Sequence, residues 1–160
     1  MSDQDLFPQY CMDTSTLITM WRVHYRPKNF PSVWQQMSFH VKRKELIAPR
    51  EVFEELRAGR DDLFDFARKH KEMFVELDAE QIALVLEILS VFPKLIDANK
   101  TIPDADPYVI ALAKKKGWSV VTAENKSNSP KKPKIPNVCQ HYGIPCLSLP
   151  DFIADMKWKI

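Results

Sequence analysis

Acidic residues recur at one kind of place in this sequence: just after a short apolar run, or at the start of the helix that follows one. Asp13 ends the run Gln9–Met12 and precedes Thr14, Ser15 and Thr16. Glu54 and Glu55 lie in the helical stretch behind Leu46–Ala48. Asp106 stands before Pro107, with Asp104 close upstream. Glu124 follows Trp118–Thr122. Carboxylates brought together from such segments repel one another unless a cation sits among them. A hard cation such as Mg²⁺ or Mn²⁺ takes oxygen ligands and keeps several waters. It acidifies and orients water, and it neutralises charge developing on a phosphate. The chemistry that suits this set is metal-assisted hydrolysis of a phosphodiester. The hydroxyls of Thr14, Ser15 and Thr122 are the groups expected to aim the carboxylates.

Each acid also has an ordinary role open to it. Asp13 suits the N-cap of a helix over Thr14–His24. Asp106 suits an N-cap with Pro107 as the first helical residue. Glu54 and Glu55 are helix-surface residues by type. An N-cap carboxylate can still face a metal, so the two roles are compatible. The catalytic reading rests on all the segments converging at one edge of a sheet.

That edge follows from the elements. The spacing predicts short strands at Gln9–Met12, Leu46–Ala48, Met73–Leu77, Trp118–Thr122 and Pro145–Leu149. Helices are predicted at Thr14–His24, Val33–Arg43, Arg50–Arg57, Asp61–Lys71, Ala79–Phe92, Asp106–Lys116, Pro136–Tyr142 and Asp151–Trp158. Pro49 is expected in the first turn of the third helix, and Asp78 as the cap of the fifth. The fifth helix is expected to turn Ile82, Val85, Leu86 and Leu89 to the core. Ile102–Asp106 reads as a loop, and Ala123–Lys134 as a longer loop rich in Lys, Ser, Asn and Pro. Strands alternating with helices imply a largely parallel sheet covered on both faces. Ligands of such sheets gather at the carboxyl ends of the strands.

Composition narrows the function classes. The chain has 160 residues, which is one domain's worth over 1–160. Its 23 Lys and Arg against 21 Asp and Glu give a formal charge of +2, which argues against a wholly basic nucleic-acid binder. Gly59, Gly117 and Gly143 are the only glycines, so neither a glycine-rich dinucleotide turn nor a phosphate-cradling loop can be built. Cys11, Cys139 and Cys146 are widely spread and lack the paired spacing of a zinc site. Free thiols in a reducing, cytoplasmic setting are the expectation. No apolar run reaches membrane-spanning length, and the acidic start MSDQDLF does not resemble a secretory leader.

An acid-lined site repels nucleic acid, so cations must hold phosphates beside it. Lys126, Lys131, Lys132 and Lys134 follow Glu124 with no acid among positions 125–134. They are the expected nucleic-acid contacts. Lys28, Lys42, Arg43 and Lys44 form a second basic segment. Lys114, Lys115 and Lys116 suit a helix C-terminus on dipole grounds alone. Trp21, Trp34, Tyr25 and Tyr108 could stack on bases, but their helical spacing favours core packing.

Read together, these segments resemble a known family. Tyr10-Cys11-Met12-Asp13-Thr14-Ser15 resembles the first strand and acid of PIN-domain nucleases. Ala48-Pro49-Arg50-Glu51-Val52-Phe53-Glu54-Glu55-Leu56 is similar to their second acidic motif, in a frame that selects Glu55 over Glu54. Asp106-Pro107-Tyr108-Val109-Ile110-Ala111-Leu112-Ala113 resembles their Asp-led helix. Val120-Val121-Thr122-Ala123-Glu124 resembles their strand ending in Thr-x-Asp, with Glu in place of the usual Asp. The stretch from Lys134 through Cys146 resembles an uncharacterised bacterial PIN-like subfamily.

The resemblance implies a three-layer α/β/α sandwich around a parallel sheet of four or five strands. It implies an Mg²⁺- or Mn²⁺-dependent endoribonuclease that leaves a 5′-phosphate and a 3′-hydroxyl. It makes Asp13, Glu55, Asp106 and Glu124 the catalytic metal ligands, with Asp104 in their outer shell. The best-known bacterial relatives are VapC-type toxins, often dimeric and held inactive by an antitoxin. RNA, a cognate antitoxin and a second copy of the chain are therefore the expected partners. Two features depart from the family pattern. Glu124 is one methylene longer than Asp, and the Lys126–Lys134 loop is long for a compact VapC toxin. A catalytically silent RNA- or antitoxin-binding module is the alternative. A phosphatase with Asp13 as nucleophile ranks last, because position 15 is Ser where that chemistry commonly wants a second Asp.

Overall fold

The computed structural model describes residues 9–96, 104–129 and 131–160. Strand β1 (Tyr10–Met12) runs into helix α1 (Thr14–Thr19), which continues as a π-helical turn over Met20–His24. Then come α2 (Pro31–Lys42), β2 (Leu46–Pro49), α3 (Arg50–Gly59), α4 (Asp62–Lys69) and β3 (Phe74–Val75). The chain continues through α5 (Ala79–Val91), α6 (Asp106–Lys116), β4 (Ser119–Val121), α7 (Ile135–Tyr142), β5 (Cys146–Leu147) and α8 (Leu149–Asp155).

The five strands form one sheet in the order β3-β2-β1-β4-β5, with every pairing parallel. Helices flank it, which is the α/β architecture the alternation implied, with five strands. The middle strands carry no polar side: all residues of β1 and β2 are buried, as expected where both sheet faces are covered. Tyr10 pairs with Leu46 on one side and Ser119 on the other. The chain order reverses at β1, since β2 lies to one side of it and β4 to the other. The crevice beyond the ends of β1 and β4 is thus the topological switch point, where ligands of open α/β sheets bind.

Several boundaries differ from the sequence expectation. Pro49 is the N-cap of α3 rather than a residue of its first turn, and it also closes β2. Helix α6 starts at Asp106 itself, with Ala105 as its N-cap, so the Asp106 side chain does not cap it. Ile102 and Pro103 of the expected loop lie outside the described residues, as does Pro130.

The largest correction concerns α5. Gln81, Leu84, Val85 and Ile88 face inward, while Ile82 is 39% and Leu86 65% exposed. Leu89 is half-buried. The cause is local. Asp78 accepts from the Gln81 N–H at 2.8 Å, and Gln81 Oε1 accepts from the Asp78 N–H at 2.8 Å. This capping box turns Gln81 toward the core, and the residues three, four and seven places on must follow it.

The aromatic residues serve the core, as their spacing favoured. Trp34 packs edge-on against Trp21 and Phe66, and its indole donates to the Tyr25 carbonyl at 2.6 Å. Among the described residues no helix is long and apolar enough to cross a membrane.

Candidate functional site

Asp13 is 1% exposed at the end of β1. It is also the N-cap of α1, so the structural and the site roles coincide. Its Oδ1 accepts from the Thr16 N–H at 2.8 Å and from Thr16 Oγ1 at 2.5 Å. Its Oδ2 accepts from Ser15 Oγ at 2.8 Å and from Thr122 Oγ1, at the end of β4, at 2.5 Å. Burial pushes the Asp13 carboxyl up from its ordinary value, and the four donors pull it back only partly. The hydroxyls of Ser15 and Thr122 thus aim Asp13, as expected of them. Thr14 does not: its Oγ1 is buried without a hydrogen-bond partner among the described residues. Thr16 takes that place. Its position, three residues past a capping Asp, is the signal that could have found it.

Helix α3 separates its two adjacent glutamates. Glu54 pairs with Arg50 at 3.6 Å and with Arg57 at 3.4 Å on the outer face. Glu55 turns the other way, and its Oε1 accepts from the Ala105 N–H at 2.7 Å, directly before Asp106. Asp104 accepts from the Asp106 N–H at 3.2 Å, so it steadies the first turn of α6. Asp106 is pushed up to about 8, first by burial and then by the charges of Glu124, Asp104, Asp13 and Glu55. Those four charges, carried by separate segments, all act on Asp106.

Glu124 is raised chiefly by burial. Its Oε2 accepts from the Ile135 N–H at 3.1 Å, the first residue of α7, and its own N–H donates to Thr122 Oγ1 at 3.1 Å. The side chain therefore spans the loop between β4 and α7. The extra methylene of Glu gives the reach to do so.

Three of these acids line an open cleft of about 830 Å³. Asp104, Asp106 and Glu124 are on its wall, together with Lys131, Lys132 and Lys134. Lys126 is exposed on the same loop but is not among the lining residues. Lys94 lines the cleft from the turn after α5, beside Leu95 and Ile96. Nothing in the sequence pointed to Lys94, because it is far from the other cations in the chain. Of the remaining basic residues, Lys115 pairs with Glu80 at 3.2 Å, and Lys114 lies over the Tyr142 ring.

All these donors are carboxylate oxygens, the type a hard divalent cation takes. Their mutual repulsion, visible in the raised Asp106, is what such a cation relieves. As the side chains stand, no three His, Cys, Asp or Glu residues among the described ones are gathered into a metal-holding group.

The fold has known counterparts. The structure of FitAcB from Neisseria gonorrhoeae aligns with a TM-score of 0.51 at 16% identity, over 87% of this chain and 96% of that one. VapBC2 from Rickettsia felis, bound to a DNA fragment from its promoter, aligns with a TM-score of 0.47 at 13% identity, over 78% and 96%. PAE2754 from Pyrobaculum aerophilum aligns with a TM-score of 0.42 at 15% identity, over 85% and 97%. No curated protein matches the sequence. The sequence of residues 10–160 matches the family described as a domain of unknown function, DUF4411. The chain therefore belongs to the DUF4411 family, and its fold is of the PIN type.

Proposed function

We propose that the cleft hydrolyses RNA phosphodiester bonds with Mg²⁺ or Mn²⁺, and that the protein is the toxin of a toxin–antitoxin pair. What supports the first part is that the charges of Glu124, Asp104, Asp13 and Glu55 all act on Asp106, and that Asp104, Asp106 and Glu124 share a cleft with Lys94, Lys131, Lys132 and Lys134. In this reading the carboxylates of Asp13, Glu55, Asp106 and Glu124 hold the cation. Bound there, it supplies an acidified water and neutralises charge for in-line attack, leaving a 5′-phosphate and a 3′-hydroxyl.

The chain's own groups do the rest. Ser15, Thr16 and Thr122 fix the direction of Asp13. Asp104 holds the backbone that presents Asp106. Lys94, Lys131, Lys132 and Lys134 hold phosphates on either side of the acids, and Lys126 meets the strand farther out. The Asp106 proton must leave before that carboxylate can ligate a cation, so affinity for the metal rises with pH toward 8. The toxin role is supported by the PIN-type fold shared with FitAcB. The protein would act in the cytoplasm, where its RNA substrate and a cognate antitoxin are found, alone or as a homodimer.

The silent binding module is favoured by one observation. Both Asp13 oxygens are engaged by protein donors, and Glu124 Oε2 is held by Ile135. The experiment that separates the two readings is cleavage of a single-stranded RNA with Mn²⁺ by wild type and by Asp13→Asn. Nuclease chemistry expects a loss on the order of 100-fold or more, the scale on which misplaced reacting groups act. Equal rates, or salt-sensitive binding without turnover, leave the silent module standing.

A further inference from the structure

On α3, Arg50, Phe53 and Arg57 stand three and then four residues apart, so they share one face of the helix. Glu55 leaves the opposite face to reach the Ala105 N–H. Phe53 is buried, with its ring centre 5.3 Å from that of Phe74 on β3 and 5.3 Å from that of Phe64 on α4. The Arg57 guanidinium lies over the Phe53 ring, 5.4 Å from its centre. Lys71, in the turn before β3, completes a hollow of about 220 Å³ lined by Arg50, Phe53, Arg57, Lys71 and Phe74.

Three cations thus surround two phenyl rings, and no acid is among the lining residues. The acids beside them hold loosely. Glu54 pairs with Arg50 at 3.6 Å and with Arg57 at 3.4 Å, both long for charge-assisted bonds, which run about 2.7–2.9 Å. Glu76 meets Arg50 at 2.8 Å but is 75% exposed, and pairs so open to water are weak. Lys71 forms no salt bridge among the described residues. The hollow on the other side of Arg57 is different. There Arg68 covers the Phe64 ring at 5.5 Å, as Arg57 covers Phe53, yet Asp61, Asp62 and Asp65 share the walls and Asp65 pairs with Arg68 at 2.5 Å.

We propose that the hollow beside α3 binds one nucleotide of an RNA strand outside the cleft, with the phosphate on Arg50 and Lys71 and the base against the Arg57 guanidinium. Phe53 is buried, so its ring braces Arg57, and the half-buried Phe74 is left to meet the base. Size supports a part of a longer ligand: sites that enclose a whole small molecule run about 300–1,000 Å³. The chemistry favours a nucleotide, because single strands are held by cations on the phosphates and by aromatic or guanidinium planes on the bases. A simple anion would use the cations and leave the rings idle. The position suits a strand that also enters the cleft. Arg50 opens α3 directly after β2, at the carboxyl edge of the sheet where the acids lie. The helix is about 10–12 Å across with its side chains, and a strand leaving the acids rounds its first turn to reach the hollow. The strand rests on the RNA reading above; the affinity for a nucleotide does not.

The test uses the full chain in EDTA. Amide shifts follow binding of AMP, adenosine and inorganic phosphate, and confirm that each variant is folded. Fluorescence anisotropy follows a labelled 12-nucleotide single-stranded RNA. AMP should shift amides of α3 and of Lys71–Val75, and bind at least about fivefold more tightly than phosphate or adenosine, the scale of one stacked base. Arg57→Lys keeps the charge and loses the plane, so it should remove that advantage and leave phosphate binding unchanged. Lys71→Ala should lower the salt slope of RNA binding by about 0.7. Arg68→Ala, in the acid-balanced hollow, should change neither. Phosphate bound as tightly as AMP, shifts confined to the Lys131–Lys134 segment, or equal effects of Arg57→Lys and Arg68→Ala would overturn the proposal. An RNA slope unmoved by Lys71→Ala overturns the strand contact. If the wild type binds no RNA, the RNA reading fails instead, and the AMP comparisons still decide the hollow.

Discussion

Asp106 is where burial and like charge act together, and both favour its protonated form. Its folded value near 8 stands far above the ordinary value of 3.8. Between those pH values the folded chain holds a proton that the unfolded chain releases. The Asp106 contribution to the stability of the metal-free protein therefore falls as pH rises from about 4 to about 8, and levels off above. Asp106→Asn keeps the shape and removes the charge. In EDTA at pH 8 it should raise the melting temperature by about 2–8 °C, a gain of ~1–2 kcal/mol for a chain of this size. At pH 4 the variant and the wild type should melt together. A gap between variant and wild type that is no larger at pH 8 than at pH 4 would refute the crowding of acids. The hydroxyls around Asp13 give a second comparison. Thr122→Val removes a donor from a buried carboxylate and should weaken Mn²⁺ binding by about 10–100-fold in calorimetry. Thr14→Val removes a buried hydroxyl that has no partner among the described residues, and should leave stability unchanged or slightly higher. The reverse ranking would move the aiming role from Thr122 to Thr14.

Helix α5 shows what an element's pattern can and cannot determine. Its sequence AEQIALVLEILSV is apolar nearly all round, so the period established a helix but left its rotation open. The capping box set the rotation, through a polar residue at position 81 that an apolar stripe would not suggest. Urea denaturation distinguishes the two faces. Ile88→Ala should cost about 2–5 kcal/mol, and Leu86→Gln should stay within about 0.5 kcal/mol of wild type. Equal costs would restore the stripe read from sequence. The same contrast runs through the site. The placement of Asp13, Glu55, Asp106 and Glu124 toward one end of the sheet was legible because each sits at a fixed place relative to a strand, and a parallel sheet brings such places to one edge. Lys94 was not, since the fold alone brings the turn after α5 beside the Lys131–Lys134 segment. The bond from Ile135 to Glu124 was not legible either, because it closes a loop whose path no local pattern dictates.

Across the molecule, charge is sorted by position. Several acids away from the cleft have cationic partners: Asp61 with Arg22, Asp65 with Arg68, Glu80 with Lys115, and Glu45 with Arg43. Among the described residues, Asp13, Asp106 and Glu124 form no salt bridge with Lys or Arg, although three lysines of the adjoining loop line the same cleft as Asp106 and Glu124. A net charge of +2 conceals this separation, and among the described residues the cleft lysines form no salt bridge that would keep them from phosphates. Single-stranded RNA binding, measured with EDTA to prevent turnover, should therefore weaken steeply with salt. Each phosphate contact contributes about 0.7 to the slope of log K against log salt concentration. Lys94→Ala should lower the slope by about 0.7, and replacement of Lys131, Lys132 and Lys134 together by up to about 2. Lys115→Ala should leave it unchanged, because that ammonium is paired with Glu80 on α5. If Lys126→Ala lowers the slope while Lys94→Ala does not, the strand runs along the outside of the loop. The scissile phosphate would then have no cation opposite the loop to hold it against the acids.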